Sequence, residues 1–126
     1  MYELSVSRDF VAQHYLTVPS PPPGEGEPHS HRYEADVRFR TETLGAYGYV
    51  VDIDDVEATL DGLVDRYRDS LLNDLPEFGD HNPSVERFAE LFGDRVVADL
   101  SNTTPDELTV RMWEDDVAWA SHSREL

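Results

Sequence analysis

Apolar and charged residues alternate with period two over residues 31–40, where Tyr33, Ala35, Val37 and Phe39 are separated by Arg32, Glu34, Asp36 and Arg38. Residues two apart in a strand share a face, so the segment predicts a half-buried strand with those four side chains toward the core. Residues 2–16, rich in β-branched and aromatic side chains, predict a strand before it. Between the two, residues 18–28 hold Pro19, Pro21, Pro22, Pro23, Gly24, Gly26 and Pro28, which exclude regular structure and make a loop. Gly45 and Gly48 mark a turn.

The spacing then changes to three and four. Val56, Leu60, Leu63, Val64, Tyr67, Leu71 and Leu72 predict an amphipathic helix over residues 54–72, with an acidic start that suits its dipole. Residues 73–83 read as a loop. Residues 84–92 predict a second helix, capped by Asn82 or Ser84 and stopped by Gly93. Residues 95–100 and 108–113 read as two more strands, with a turn over 102–106. The order is strand, strand, helix, helix, strand, strand, without internal repeats. It predicts an α+β domain over residues 1–126, with two helices on one face of a four-stranded antiparallel sheet.

A chain of 126 residues supports a single core but does not easily form a deep cleft alone, so a site shared between subunits is expected. Its net charge is -17, from 27 acidic residues against 10 basic ones, and it contains no lysine. Heavy acid loading without lysine keeps a surface hydrated in concentrated salt, a halophilic character. The acids are spread among apolar positions, which argues against an acidic disordered tail. Such a charge repels nucleic acid. It does not exclude a phosphorylated substrate, because at about 1 M salt the Debye length is about 3 Å and local arginines decide what binds. Without cysteine there is no disulfide, thiolate ligand or cysteine nucleophile. No apolar run is long enough to span a membrane and no signal peptide opens the chain, so a cytoplasmic protein without a membrane partner is expected.

The candidate chemistry lies in the histidines. His29 and His31 have the parity of the core face of their strand, and an adjacent antiparallel strand brings His14 to the same point. Three neutral imidazoles leave Zn2+ its full charge and an open fourth position, the arrangement of a catalytic site. A His-x-His pair alone reads more simply as two solvated residues; the third histidine favours the metal.

His14, the His29-Ser30-His31 pair, Gly48-Tyr49-Val50-Val51-Asp52 before a long helix, Leu72-Asn73-Asp74, Asn82-Pro83-Ser84-Val85-Glu86 and Trp113-Glu114 follow one another in an order and spacing that covers nearly the whole chain. In this the sequence resembles the 6-pyruvoyl-tetrahydropterin synthase and 6-carboxy-tetrahydropterin synthase family. The resemblance implies the tunnelling fold, in which subunits join their sheets into a barrel, form hexamers or similar homo-oligomers and place active sites at subunit boundaries. It implies a zinc-dependent lyase acting on 7,8-dihydroneopterin triphosphate or a related dihydropterin, serving folate or deazapurine synthesis. Carried over by residue, His14, His29 and His31 are the zinc ligands, Glu114 anchors the pterin and Ser84 stands near it. A carboxylate suits the pterin's adjacent N–H and amino group because it accepts both. Trp113 and Trp119 read as core or interface aromatics.

The sequence departs from the family in two places. The family's cysteine, four residues before the first histidine of the pair, is Glu25 here. Its Asp-His dyad in the first helix falls on Arg68 and Asp69, or on Asp65 with a different gap, and no histidine follows either acid. A carboxylate keeps a proton acceptor at the cysteine's position. Family members with glutamate there are associated with cleaving the side chain of dihydroneopterin compounds to 6-hydroxymethyl-dihydropterin. The simpler reading of Glu25 is a flexible loop acid. Asp69 is the natural second acid or base, or else an exposed helix residue; His81 and His122 read as surface histidines. The alternative from another class is a noncatalytic pterin- or metal-binding homologue.

Overall fold

The computed structural model describes residues 1–101 and 104–126. Strands β1 (Tyr2–His14) and β2 (His29–Thr41) pair antiparallel along their whole length, from Tyr2 opposite Thr41 to His14 opposite His29. Helices α1 (Ile53–Tyr67) and α2 (Val85–Asp99) follow, with a single 3-10 turn at Leu72–Asp74 between them. Strands β3 (Glu107–Trp113) and β4 (Trp119–Glu125) complete a sheet of order β1-β2-β3-β4, antiparallel throughout. Helix α1 packs on β1, and α2 packs on β3 and β4. The core between sheet and helices includes Phe10, Tyr33, Tyr67, Phe88 and Phe92, whose rings meet edge-on or stacked, as for Tyr33 and Phe88 at 5.1 Å. Among the described residues no helix is long and apolar enough to cross a membrane.

Two expectations about the second half are corrected. Residues 95–100 are not a strand, since 95–99 are the last turns of α2 and Leu100 is its C-cap. The helical spacing set by Phe88 and Phe92 continues through buried Val96 and Leu100. Gly93 does not stop the helix; it lets α2 approach the sheet. A Cβ there would lie 3.3 Å from Val110 Cγ2 and 2.7 Å from Arg124 Nη2. The last strand, β4, was not predicted. It is an edge strand with only Ala120, His122 and Arg124 half-buried on its helix side, so it carries no apolar alternation. The predicted turn over 102–106 lies in part outside the described residues.

Helix α1 ends at Tyr67 rather than at 72, because Arg68 takes an extended ψ of 131° and Asp69 a left-handed φ of 59°. The chain then runs beside β1: the Asp69 N–H donates to the Val11 carbonyl at 2.7 Å and the Gln13 N–H to the Ser70 carbonyl at 2.8 Å. The edge of β1 is thereby covered near His14, while residues 2–9 keep a free edge among the described residues.

One half-buried carboxylate ties α1, the following loop and α2 together. Glu77 accepts from Arg66 Nε and Nη2 at 2.9 and 2.6 Å, from the Tyr67 hydroxyl at 2.7 Å and from Arg95 Nε at 2.7 Å. Burial by itself would raise its pKa, but the donors outweigh burial and hold it at about 2. The carboxylate's folded value lies below its unfolded one. Its contribution, on the order of 3 kcal/mol, is therefore present above about pH 4.5 and lost as pH falls toward 2. Glu77→Gln is expected to lower the melting temperature at neutral pH and to flatten the acid limb of stability between those values. Acid-unfolding curves of equal steepness in variant and parent would contradict this.

Candidate metal centre and active site

The three histidines converge because of strand register. His14 faces His29 across the β1–β2 ladder and Ala12 faces His31, which puts all three imidazoles on the helix side at one end of the sheet. Ring centroids are 4.6 Å apart for His14 and His29, 4.8 Å for His14 and His31, and 4.9 Å for His29 and His31. One nitrogen from each lies within 4.8 Å of the others.

Hydrogen bonding decides which nitrogens are available. His14 Nδ1 lies 3.0 Å from the Pro83 carbonyl, and His29 Nδ1 lies 2.8 Å from the Glu27 carbonyl. A carbonyl only accepts, so both Nδ1 atoms carry the proton and both Nε2 atoms keep a lone pair. The Tyr33 hydroxyl, 3.1 Å from His14 Nδ1, shares that N–H as a second acceptor. His14 Nε2 and His31 Nε2 are buried without a hydrogen-bond partner. Burial first, and then the neighbouring His31 and His29, push the pKa of His14 down to about 4 against the opposing Pro83 hydrogen bond, so His14 is neutral at pH 7. Three converging imidazoles, two of them oriented by backbone carbonyls and two with orphaned buried nitrogens, are a donor set that fits a zinc ion.

Glu114 closes the site. Its carboxylate Oε1 lies 3.2 Å from His31 Nε2 and 3.4 Å from His14 Nε2. With His14 neutral, the second approach is no ion pair. Burial raises the Glu114 pKa, the charges of Asp115 and Glu25 add to that, and His31 and His29 oppose it.

The surrounding loops hold these residues from behind. Asn73 reads the backbone of Tyr15 like a neighbouring strand, its Oδ1 accepting from the Tyr15 N–H and its Nδ2 donating to the Tyr15 carbonyl, both at 3.0 Å. Asn82 Oδ1 accepts from the Thr17 N–H at 2.8 Å. These two asparagines fix the chain after His14, while Pro83 fixes the ring. The Pro83 carbonyl was missed in the sequence because backbone acceptors leave no signal in residue types. Ser84 caps α2, its Oγ accepting from the Arg87 N–H at 3.1 Å, which decides between the two predicted caps.

Backbone hydrogen bonds hold Glu25 in a turn. Pro22-Pro23-Gly24-Glu25 forms a turn closed by the Glu25 N–H on the Pro22 carbonyl at 3.0 Å, with Pro23 supplying the bend and Gly24 at φ 83°. The Glu25 carbonyl in turn accepts from the Leu16 N–H at 2.8 Å. The residue is half-buried, close enough for its charge to act on Glu114.

The other candidates stand apart. Asp69 is exposed, and its carboxylate makes no hydrogen bond or ion pair among the described residues. His81 is exposed in a turn, its N–H on the Phe78 carbonyl. His122 lies on β4 between Glu90 and Arg124. Trp113 and Trp119 pair across β3 and β4 with centroids 6.2 Å apart, and Arg111 lies 4.0 Å above the Trp119 ring.

The family model described as 6-pyruvoyl tetrahydropterin synthase matches residues 3–125. The fold is similar to that of the Plasmodium falciparum 6-pyruvoyl tetrahydropterin synthase, with a TM-score of 0.84 and 12% identity over 99% of this chain and 98% of that one. It is also similar to the Caenorhabditis elegans enzyme, with a TM-score of 0.79 and 18% identity over 98% and 96%. A Plasmodium vivax 6-pyruvoyltetrahydropterin synthase in which a glutamate described as a catalytic residue is replaced by alanine matches with a TM-score of 0.79 and 13% identity over 99% and 98%. No curated protein matches the chain in sequence.

Proposed function

The chain belongs to the 6-pyruvoyl tetrahydropterin synthase family, whose members are lyases, and from that premise we propose a zinc-dependent pterin lyase acting on 7,8-dihydroneopterin triphosphate or a related dihydropterin. The observation that carries this reading is the meeting of three imidazoles and the Glu114 carboxylate at one point. His14, His29 and His31 would hold the ion, which when bound supplies Lewis-acid polarisation of the side-chain hydroxyls. Glu114 accepts the pterin's N–H and amino group as a pair, which orients the ring. Glu25, held by its turn, would take a proton from the substrate's side chain. The catalytic glutamate of the Plasmodium vivax enzyme supports a carboxylate in that role. Ser84 borders the substrate, and Asp69 serves as a second acid or base only if a subunit boundary brings substrate to it. The exposure of Asp69 favours the second reading, a noncatalytic pterin-binding homologue. Mass spectrometry of the products from dihydroneopterin compounds, in high salt with zinc, separates the two: conversion supports the lyase, and binding without conversion supports the homologue.

We further propose that copies join the free edge of β1, residues 2–9, to that of β4, closing a barrel with active sites at the boundaries. Each copy brings a charge of -17, so dilute buffer is expected to dissociate and destabilise the assembly and molar salt to restore it. Light scattering and thermal melts check this. Equal mass and melting temperature in both salts would contradict it.

A further inference from the structure

Arginine is the only source of permanent positive side-chain charge in this chain, since lysine is absent. Nine of the ten arginines are ion-paired with an aspartate or glutamate. The tenth, Arg111, lies over the Trp119 ring. Neighbours in a homo-oligomer are copies of the same chain, so residues 1–126 of a neighbour bring the same ten guanidiniums to a subunit boundary.

Three clefts among the described residues have the same character. On the open face of the sheet, a cleft of about 430 Å³ sets Asp9, Glu34, Asp115 and Asp116 against Arg32, which Asp9 already holds at 2.5 Å. On the helix side, Glu86 and Glu90 face Arg87, which Glu90 holds at 2.8 Å. The cleft beside the start of β1 contains Glu3, Asp52 and Asp54 and no basic residue. Helix N-termini are a chain's other anion sites, and both are taken. Asp52 caps α1 with Asp54 and Asp55 behind it, and Ser84 caps α2 with Glu86 behind it.

A triphosphate needs direct charge-assisted contacts to guanidinium or backbone N–H groups. Molar salt removes distant repulsion, with a Debye length of about 3 Å, but it frees no guanidinium. Arg111 apart, whose guanidinium stacks on the Trp119 ring of the open sheet face, a phosphate must still displace a carboxylate, exchanging one anion for another. Resting on the pterin-lyase reading above, we infer that the site takes a dihydropterin with an uncharged polyol side chain, such as 7,8-dihydroneopterin, and discriminates against its triphosphate. Hydrolysis of the phosphate chain then precedes this enzyme in the reaction sequence.

The test titrates zinc-loaded protein with neopterin and with neopterin triphosphate, following pterin fluorescence at molar salt and at the lowest salt that keeps the protein folded. Zinc content is measured after each titration, because a triphosphate chelates the ion. Neopterin is expected to bind at least tenfold tighter, with the gap narrowing as salt rises. Asp116→Arg should strengthen triphosphate binding severalfold and leave neopterin unmoved. Equal or tighter binding of triphosphate by the unaltered protein overturns the inference. Binding of neither ligand overturns the pterin reading along with it. If neopterin is preferred but 7,8-dihydroneopterin is not converted, the lyase reading fails and the charge preference stands.

Discussion

Glu25→Gln is expected to retain zinc and pterin binding while lowering turnover roughly 10²-fold or more, the usual scale for losing a general base. That loss corresponds to about 2.7 kcal/mol of transition-state stabilisation. Glutamine keeps the size of the side chain and cannot take up a proton. The turn that holds residue 25 uses backbone groups of Pro22, Leu16 and Glu25 itself, so the substitution leaves it intact. Steady-state kinetics in high salt measure the change, with pterin fluorescence as the control for binding. Glu114→Ala should differ in kind and weaken pterin binding, because the ring's paired donors lose their acceptor. Normal turnover in Glu25→Gln, together with a dead Asp69→Asn or His81→Ala, would move the base to the helix side of the site and sink the assignment.

Alanine at either His29 or His31 is expected to remove most of one zinc ion per subunit. Three imidazole nitrogens are the donor set that the strands offer among the described residues, and two leave the ion weakly held. Elemental analysis after dialysis reads the metal directly. The fold should survive, since the core under α1 and α2 is built from Phe10, Tyr33, Tyr67, Phe88 and Phe92 and does not pass through the ion. Zinc content unchanged in both variants would falsify the site. Circular dichroism of the same samples separates loss of metal from loss of fold.

The first half of the chain was legible in the sequence because its signals are local. Period-two alternation over 31–40 marked the core face of β2, and the spacing from Val56 to Tyr67 marked α1. The parity of His29 and His31 put both rings on one side, and pairing with the strand before them brought His14 opposite His29. Such patterns depend only on residues a few positions apart, and backbone geometry turns them directly into a face or a stripe.

The second half was decided by partners far along the chain. Gly93 reads locally as a helix stop, but Val110 and Arg124 make it a point of close approach and α2 runs on. Strand β4 has no apolar alternation, and only its ladder with β3 makes it a strand. A proline- and glycine-rich loop carries no regular pattern, yet a turn and a backbone bond to Leu16 set residue 25 within electrostatic reach of Glu114. Which nitrogen of His14 carries the proton depends on the carbonyl of Pro83, 69 residues away. Sequence periodicity therefore determined which side chains share a face and which residue types could bind metal. Tertiary packing alone decided how long α2 is, where the acids sit and which lone pairs are free, because each depends on a contact between segments that local pattern does not encode.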